Sequence, residues 1–257
     1  MTPYRSALIT GASSGIGRAL ALHLAAPGVI LHLSGRNAAR LAETAAACRA
    51  KGATAHPTVL DVTDAPATQA WIAAAGPLDL VIANAGISGG TGLGVGETPA
   101  QTRAIFAVNL DGALNTVLPA LATMRAQAPH NGKRGTIAVI ASIAALLPTP
   151  NAPAYGASKA AIDTWARASA PAAAAAGILL ASVCPGFIRT PMTEANPYKM
   201  PGIMDADRAA GIILAGLAAG RDRIVFPWWM GALARIVGAL PGGRRLLARQ
   251  GAKAPLS

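Results

Sequence analysis

In the stretch NAPAYGASKAAIDTWARA (residues 151–168), Tyr155 and Lys159 put a phenol and an ammonium four residues apart among alanines. That spacing is just over one helical turn, so on a helix the two share a face. Such a pair is either a solvated surface contact or a tuned acid. Tyrosine alone ionises near pH ~10, too high for a base at neutral pH, and a cation held beside it stabilises the phenolate. Which of the two it is depends on what the rest of the chain builds around it.

Short β-like runs alternate with alanine-rich helical stretches. Residues 7–10, 29–34, 53–60, 78–84, 135–142, 178–184 and 223–226 read as seven strands, with crossover-length stretches between most of them. This predicts an α/β protein: one doubly wound Rossmann domain over 1–226, with a mainly parallel seven-stranded sheet, helices on both faces and ligands at its carboxyl edge. The uncharged run 168–188 contains Pro171, Gly177 and Pro185, so it reads as a helix end followed by a buried strand rather than a membrane span.

The turn after the first strand, ALITGASSGIGRALALHLA, places Gly11, Gly15 and Gly17 ahead of a helix. Glycines there permit a tight turn and let the backbone approach a pyrophosphate at a helix N-terminus. The spacing is GxxxGxG rather than GxGxxG, and its strand–turn–helix context points to a dinucleotide. The second strand ends HLSGRN, with Gly35 where NAD-preferring folds carry an acid and Arg36 next to it. An acid repels a 2′-phosphate and a guanidinium binds one, so NADP(H) is expected over NAD(H), which stays open as the second cofactor. The competing reading of Arg36 is a solvated surface charge.

TGASSGIG (10–17), NAG (84–86), VNLDG (108–112), Ser142, YGASK (155–159) and CPGFIRT (184–190) occur in the order and spacing of the short-chain dehydrogenase/reductase family. The resemblance spans about residues 5–226. It implies hydride transfer between NAD(P)(H) and an alcohol–carbonyl pair. Tyr155 would be the general acid/base. Lys159 would lower the pKa of that tyrosine and bond the nicotinamide ribose. Ser142 would hold the substrate oxygen, and Asn109 would support a water-mediated proton path through the lysine. It also implies cofactor contacts from Gly11, Gly15, Ile16 and Gly17 at the turn, with Ser13 or Ser14 assisting Arg36. Asp61 and Val62 would meet the adenine, and Asn84, Ala85 and Gly86 its ribose. Pro185, Gly186, Ile188 and Thr190 would lie on the nicotinamide side.

Residues 190–204 are expected to form a mobile substrate lid, which with the apolar stretch 143–151 favours a lipophilic ketone or aldehyde. Beyond 226 the tail departs from the family's short ending. Trp229, Leu233, Ile236 and Leu240 recur at helical spacing, and no acid follows Asp222 while Arg223, Arg235, Arg244, Arg245, Arg249 and Lys253 do. This amphipathic basic extension (227–257) either lies on an anionic membrane surface or packs over the pocket or a neighbouring subunit. A homodimer or homotetramer is expected.

Hydrophobic residues make up 53% of 257 and charged residues 13%, enough apolar material for a large core. The net charge of +11 admits anionic ligands or membranes. Nucleic acid is not expected, because the basic residues are not interleaved with aromatics. Two cysteines and four scattered histidines lack metal-ligand spacing, so no metal is expected, and the opening MTPYRSALITG lacks signal-peptide features, pointing to the cytoplasm. The alternative to an enzyme is a non-catalytic nucleotide-binding sensor or scaffold, which loss of Ser142, Tyr155 or Lys159 would mark.

Overall fold

The computed structural model describes residues 3–89, 96–130, 132–194 and 200–239. Strands β1 (Ser6–Ile9), β2 (Ile30–Gly35), β3 (Thr54–Val59), β4 (Leu80–Ala83), β5 (Gly135–Ile140) and β6 (Ile178–Pro185) match expected positions to within two residues. So does β9 (Arg223–Phe226), which follows the short strands β7 (Ile188–Arg189) and β8 (Met204–Asp205). The main sheet has seven parallel strands in the order β3-β2-β1-β4-β5-β6-β9.

Helices α1 (Gly15–Leu24), α2 (Ala38–Ala50) and α8 (Ala206–Ala218) cover one face of the sheet. On the other face lie α3 (Ala65–Ala74), α5 (Gly112–Ala126) and α6 (Pro153–Ala175). Neighbouring residues of one strand feed opposite cores: Leu80 and Ile82 pack with α1, whereas Val81 and Ala83 pack with α5 and α6. Burial on both faces is why these strands read as continuous apolar runs rather than alternating ones. The chain winds outward from β1 to β3 and returns to β4, so the β1/β4 boundary is the switch point at which a crevice opens above the strand ends.

Helix α4 (Pro99–Phe106), a π-helical turn (Ala107–Asp111) and α5 form one rod. Thr98 accepts from the Gln101 amide, and the Gln101 side chain accepts in return from the Thr98 N–H, closing a capping box. By length and composition 99–126 could cross a membrane, but half of its apolar window is buried inside the fold.

One expectation is refined. The segment read as a lid has a stem: β7 pairs with β8 through Ile188↔Met204 and Arg189↔Asp205, and Arg189 Nε donates to Asp205 Oδ1 at 2.9 Å. Helix α7 (Pro191–Glu194) follows β7. Two-residue strands carry no readable periodicity, which is why sequence reading took them as loop. Residues 195–199 of the lid lie outside the described residues.

Helix α9 (Trp228–Ala239) follows β9 and packs on the main domain, where a Cβ on Gly231 would stand 2.6 Å from Val225 Cγ1. Leu240, Arg244, Arg245, Arg249 and Lys253 lie outside the described residues.

Candidate active site

The glycine turn is built by crowding. Gly11 and Gly15 adopt φ +66° and +54°, a region costly to other residues. A Cβ on Gly17 would come within 2.4 Å of the Gly11 carbonyl oxygen and 2.5 Å of Asn84 Nδ2. Asn84 Nδ2 donates to the Thr10 and Gly11 carbonyls at 2.9 and 3.2 Å, while Thr10 Oγ1 accepts the Asn84 and Ala85 amides. The end of β4 thus clamps the turn after β1. Asn84 and Gly17 hold its shape, and Gly17 does not line the cleft. Ser14 makes no side-chain cap to α1, whose first turn carries no acid. The amides there remain available for an anion.

One cleft of about 320 Å³ contains every other sequence-predicted residue except Asn109: the turn residues 11 and 13–16, Arg36, Asp61, Val62, 84–86, Ser142, Tyr155, Lys159, Pro185, Gly186, Ile188 and Thr190. It also gathers Gly35, read from the sequence as standing at the position of an acid, and Met192 and Thr193 of the segment expected to form the lid. Asn37 and Ile87, which sequence reading had not assigned, line it as well, and their signal was adjacency to Arg36 and Gly86. At one end, Arg36 Nη1 lies 3.8 Å from Asp61 Oδ2, with both side chains largely exposed. The Thr63 amide and hydroxyl, with Arg36 a lesser contributor, hold the Asp61 carboxyl below its usual range. Val62 is buried against Gly112, and its carbonyl accepts from Asn115. At Gly35 a Cβ would meet Ser13 Oγ at 3.1 Å, so the strand end that would carry an acid is already crowded by the turn.

Toward the other end, helix α6 presents Tyr155 and Lys159 on one face. The Lys159 ammonium, 4% exposed, donates to the Ile140 carbonyl at 2.7 Å and lies 5.9 Å from the centroid of the Tyr155 ring. Burial pulls its pKa down to about 8. The neighbouring Cys184 thiol, pushed up to about 11 by burial and then by Asp163, is neutral at physiological pH and supplies no counter-charge. Ser142 Oγ accepts the Ala144 amide at 3.1 Å, which leaves its own proton free to donate into the cleft.

Asn109 sits in the π turn, 1% exposed. Its Oδ1 accepts the Ile87 amide, and its Nδ2 donates to the Ile87 carbonyl and to Ser158 Oγ. Both amide protons are therefore committed to positioning the 84–89 loop against α6. A Cβ on Gly86 would fall 3.2 Å from Asn109 Oδ1 and 3.3 Å from Lys159 Nζ, so glycine lets these two groups approach.

Two carboxylates that sequence reading missed anchor the helix bearing the pair. Helix α6 has no side-chain cap of its own, and Glu97 Oε2 accepts its Ala154 amide at 2.9 Å. One turn beyond Lys159, buried Asp163 accepts from Ser182 Oγ at 2.6 Å and from Arg223 Nη2 at 2.9 Å, tying α6 to β6 and β9. Removing Asp163 strands the mostly buried Arg223 guanidinium. Asp163→Ala is expected to cost about 3 kcal/mol, seen in a thermal melt as a fall of roughly 6–12 °C. An unchanged melting temperature would mean that the pair contributes little net stability.

The cradle fits a dinucleotide on its own geometry: glycines that no Cβ could replace, open helix amides and a guanidinium at one end of a single cleft. The profile of the short chain dehydrogenase family matches residues 5–200. An uncharacterised oxidoreductase of Myxococcus xanthus is 35% identical over 243 residues, 93% of each chain. Among solved structures, a short-chain dehydrogenase/reductase from Burkholderia phymatum in complex with NAD superposes with a TM-score of 0.81 at 25% identity over 98% of both chains. Levodione reductase gives 0.76 at 28% identity over 86% of this chain and 95% of its own. The chain therefore belongs to the short-chain dehydrogenase/reductase family and is an NAD(P)-dependent oxidoreductase.

Proposed function

We propose that the protein interconverts an apolar ketone or aldehyde and its alcohol, with NADP(H) as the preferred cofactor. The observation that carries this reading is the convergence of a buried cation, a phenol one helical turn away and a serine hydroxyl with its proton available. All three line the cleft that holds the glycine turn. When bound, the cofactor supplies or takes up the hydride. As charge grows on the carbonyl oxygen, Ser142 donates a hydrogen bond to it and Tyr155 gives it a proton. Lys159 stabilises the phenolate left behind, and the Ile140 carbonyl orients the ammonium. Asn109, whose side chain holds Ile87 and Ser158 beside the lysine, supports a water-mediated proton path through Lys159. Gly11, Ser13, Ser14, Gly15 and Ile16 would hold the phosphates, Arg36, Asp61 and Val62 the adenosine end, and Pro185, Gly186, Ile188 and Thr190 the nicotinamide end.

Apolar preference is supported by half-exposed Met192 in the cleft wall. NADP(H) preference is supported by Arg36 at the rim and by the crowding at Gly35. Arg36→Ala is expected to raise KM for NADPH about 10–100-fold, the worth of a charge-assisted phosphate contact, and to leave KM for NADH nearly unchanged. Equal effects on both would end the 2′-phosphate reading. The direct test is oxidation of NADPH and NADH against aliphatic, aromatic and steroid-like carbonyls, and binding of neither cofactor would sink the proposal. We further propose a cytoplasmic homodimer or homotetramer that meets the inner face of a membrane through residues 227–257.

A further inference from the structure

Four of the eight large hydrophobic side chains exposed among the described residues lie on α9: Trp228 (78%), Trp229 (40%), Leu233 (54%) and Ile236 (59%). At helical spacing they span an arc of about 140°. The opposite arc is held, since Ala234 is 3% exposed and Gly231 abuts Val225. The helix is therefore docked by one face and presents an apolar face outward. From Pro227 to Ser257 the sequence has five basic residues (Arg235, Arg244, Arg245, Arg249 and Lys253) and no acid.

We propose that α9 binds the surface of an anionic bilayer, with the apolar arc entering the headgroup region. Charge decides the occupant. Pairing two copies through this face would bring two acid-free segments of five cations together, whereas an anionic surface attracts each cation by about 1 kcal/mol. A bilayer also offers apolar depth and negative charge in one plane, with tryptophan favoured at the boundary. Nucleic acid would match the cations but leave Leu233 and Ile236 in water.

The docking face adjoins the cleft. A Cβ on Gly186, a cleft residue, would lie 3.2 Å from Met230 Sδ of α9, and one on Gly202 would lie 2.9 Å from Trp229 Cζ2. On the proposed catalytic reading, the substrate end then opens beside the lipid and draws an apolar carbonyl compound from it. The docking itself does not depend on that reading.

The test uses the full chain with vesicles of phosphatidylcholine alone and of phosphatidylcholine mixed with phosphatidylglycerol. Binding is expected to be at least ~10-fold tighter to the anionic vesicles and to weaken with salt. Brominated lipid should quench tryptophan emission. The double variant Leu233→Ser/Ile236→Ser, altered only at exposed positions, should lose at least ~10-fold in vesicle affinity and keep its far-ultraviolet circular dichroism and its cofactor binding without vesicles. Equal binding to both vesicles, or none, overturns the proposal. So does a sedimentation mass that halves in the double variant, which would make this face a contact between copies, or oligonucleotide binding at lower concentration than vesicles.

Discussion

Tyr155→Phe should lower kcat by about 10²–10⁴-fold, the usual worth of a positioned general acid or base, while NADPH affinity stays close to wild type. The substitution removes one oxygen and keeps the ring beside the Lys159 ammonium, so packing on α6 survives. Steady-state kinetics on any carbonyl found to turn over, with cofactor fluorescence titration in parallel, separates the two effects. The pH profile adds a second reading. Reduction needs the phenol and oxidation needs the phenolate, so wild-type kcat/KM for reduction falls as pH rises and that for oxidation climbs. The variant should lose both limbs. Near-normal turnover in Tyr155→Phe would move the proton donor elsewhere in the cleft.

Lys159→Met should abolish turnover and also stabilise the cofactor-free protein. The lysine's value falls from 10.5 to about 8 on folding, mainly through burial, which opposes folding by roughly 3 kcal/mol while the group is charged. Below about pH 8 both states hold the proton and the whole penalty is present. Between about 8 and 10.5 the unfolded chain binds more protons than the folded one, so the lysine's contribution to stability rises with pH, and above 10.5 the penalty is gone. Methionine carries no such penalty but leaves the Ile140 carbonyl unpaired, giving back about 1 kcal/mol. The expected net gain is therefore roughly 2 kcal/mol near neutral pH, shrinking toward alkaline pH. Urea midpoints of both proteins near pH 7 and pH 10 would show it. A gap that does not change with pH would mean that the lysine is not held as a charge in a dry site. Such a trade, stability given up for an activated tyrosine, is the signature of a group kept for chemistry.

Much of the site could be read from the sequence because its requirements are local. Seven apolar runs announce a sheet buried on both faces, and a helical turn separates Tyr155 from Lys159. Glycines 11, 15 and 17 mark backbone that cannot carry side chains. What escaped reading depends on contacts distant in the chain or too short to have a period. Glu97 reaches Ala154 across 57 positions and Arg223 reaches Asp163 across 60. Neither partner sits in a motif, although an acid one turn past Lys159 in an acid-poor chain was a usable hint. The β7–β8 ladder has two residues on each side. Asn109 could be picked out from VNLDG, but its grip on Ile87 could not.

The π turn at Ala107–Asp111 has a consequence for how this chain can vary in length. An extra residue in a helix slips the phase of everything after it by about 100°. Before the slip, the rod faces the loop after β4 and the start of α6. After it, Thr116, Val117, Ala120 and Leu121 point into the sheet. Deleting one residue from the turn would restore a regular helix and swing that second set of side chains out of the core. The surface loops can gain or lose residues freely. In this rod, residue count works as a gear ratio, and the bound for α5 is zero.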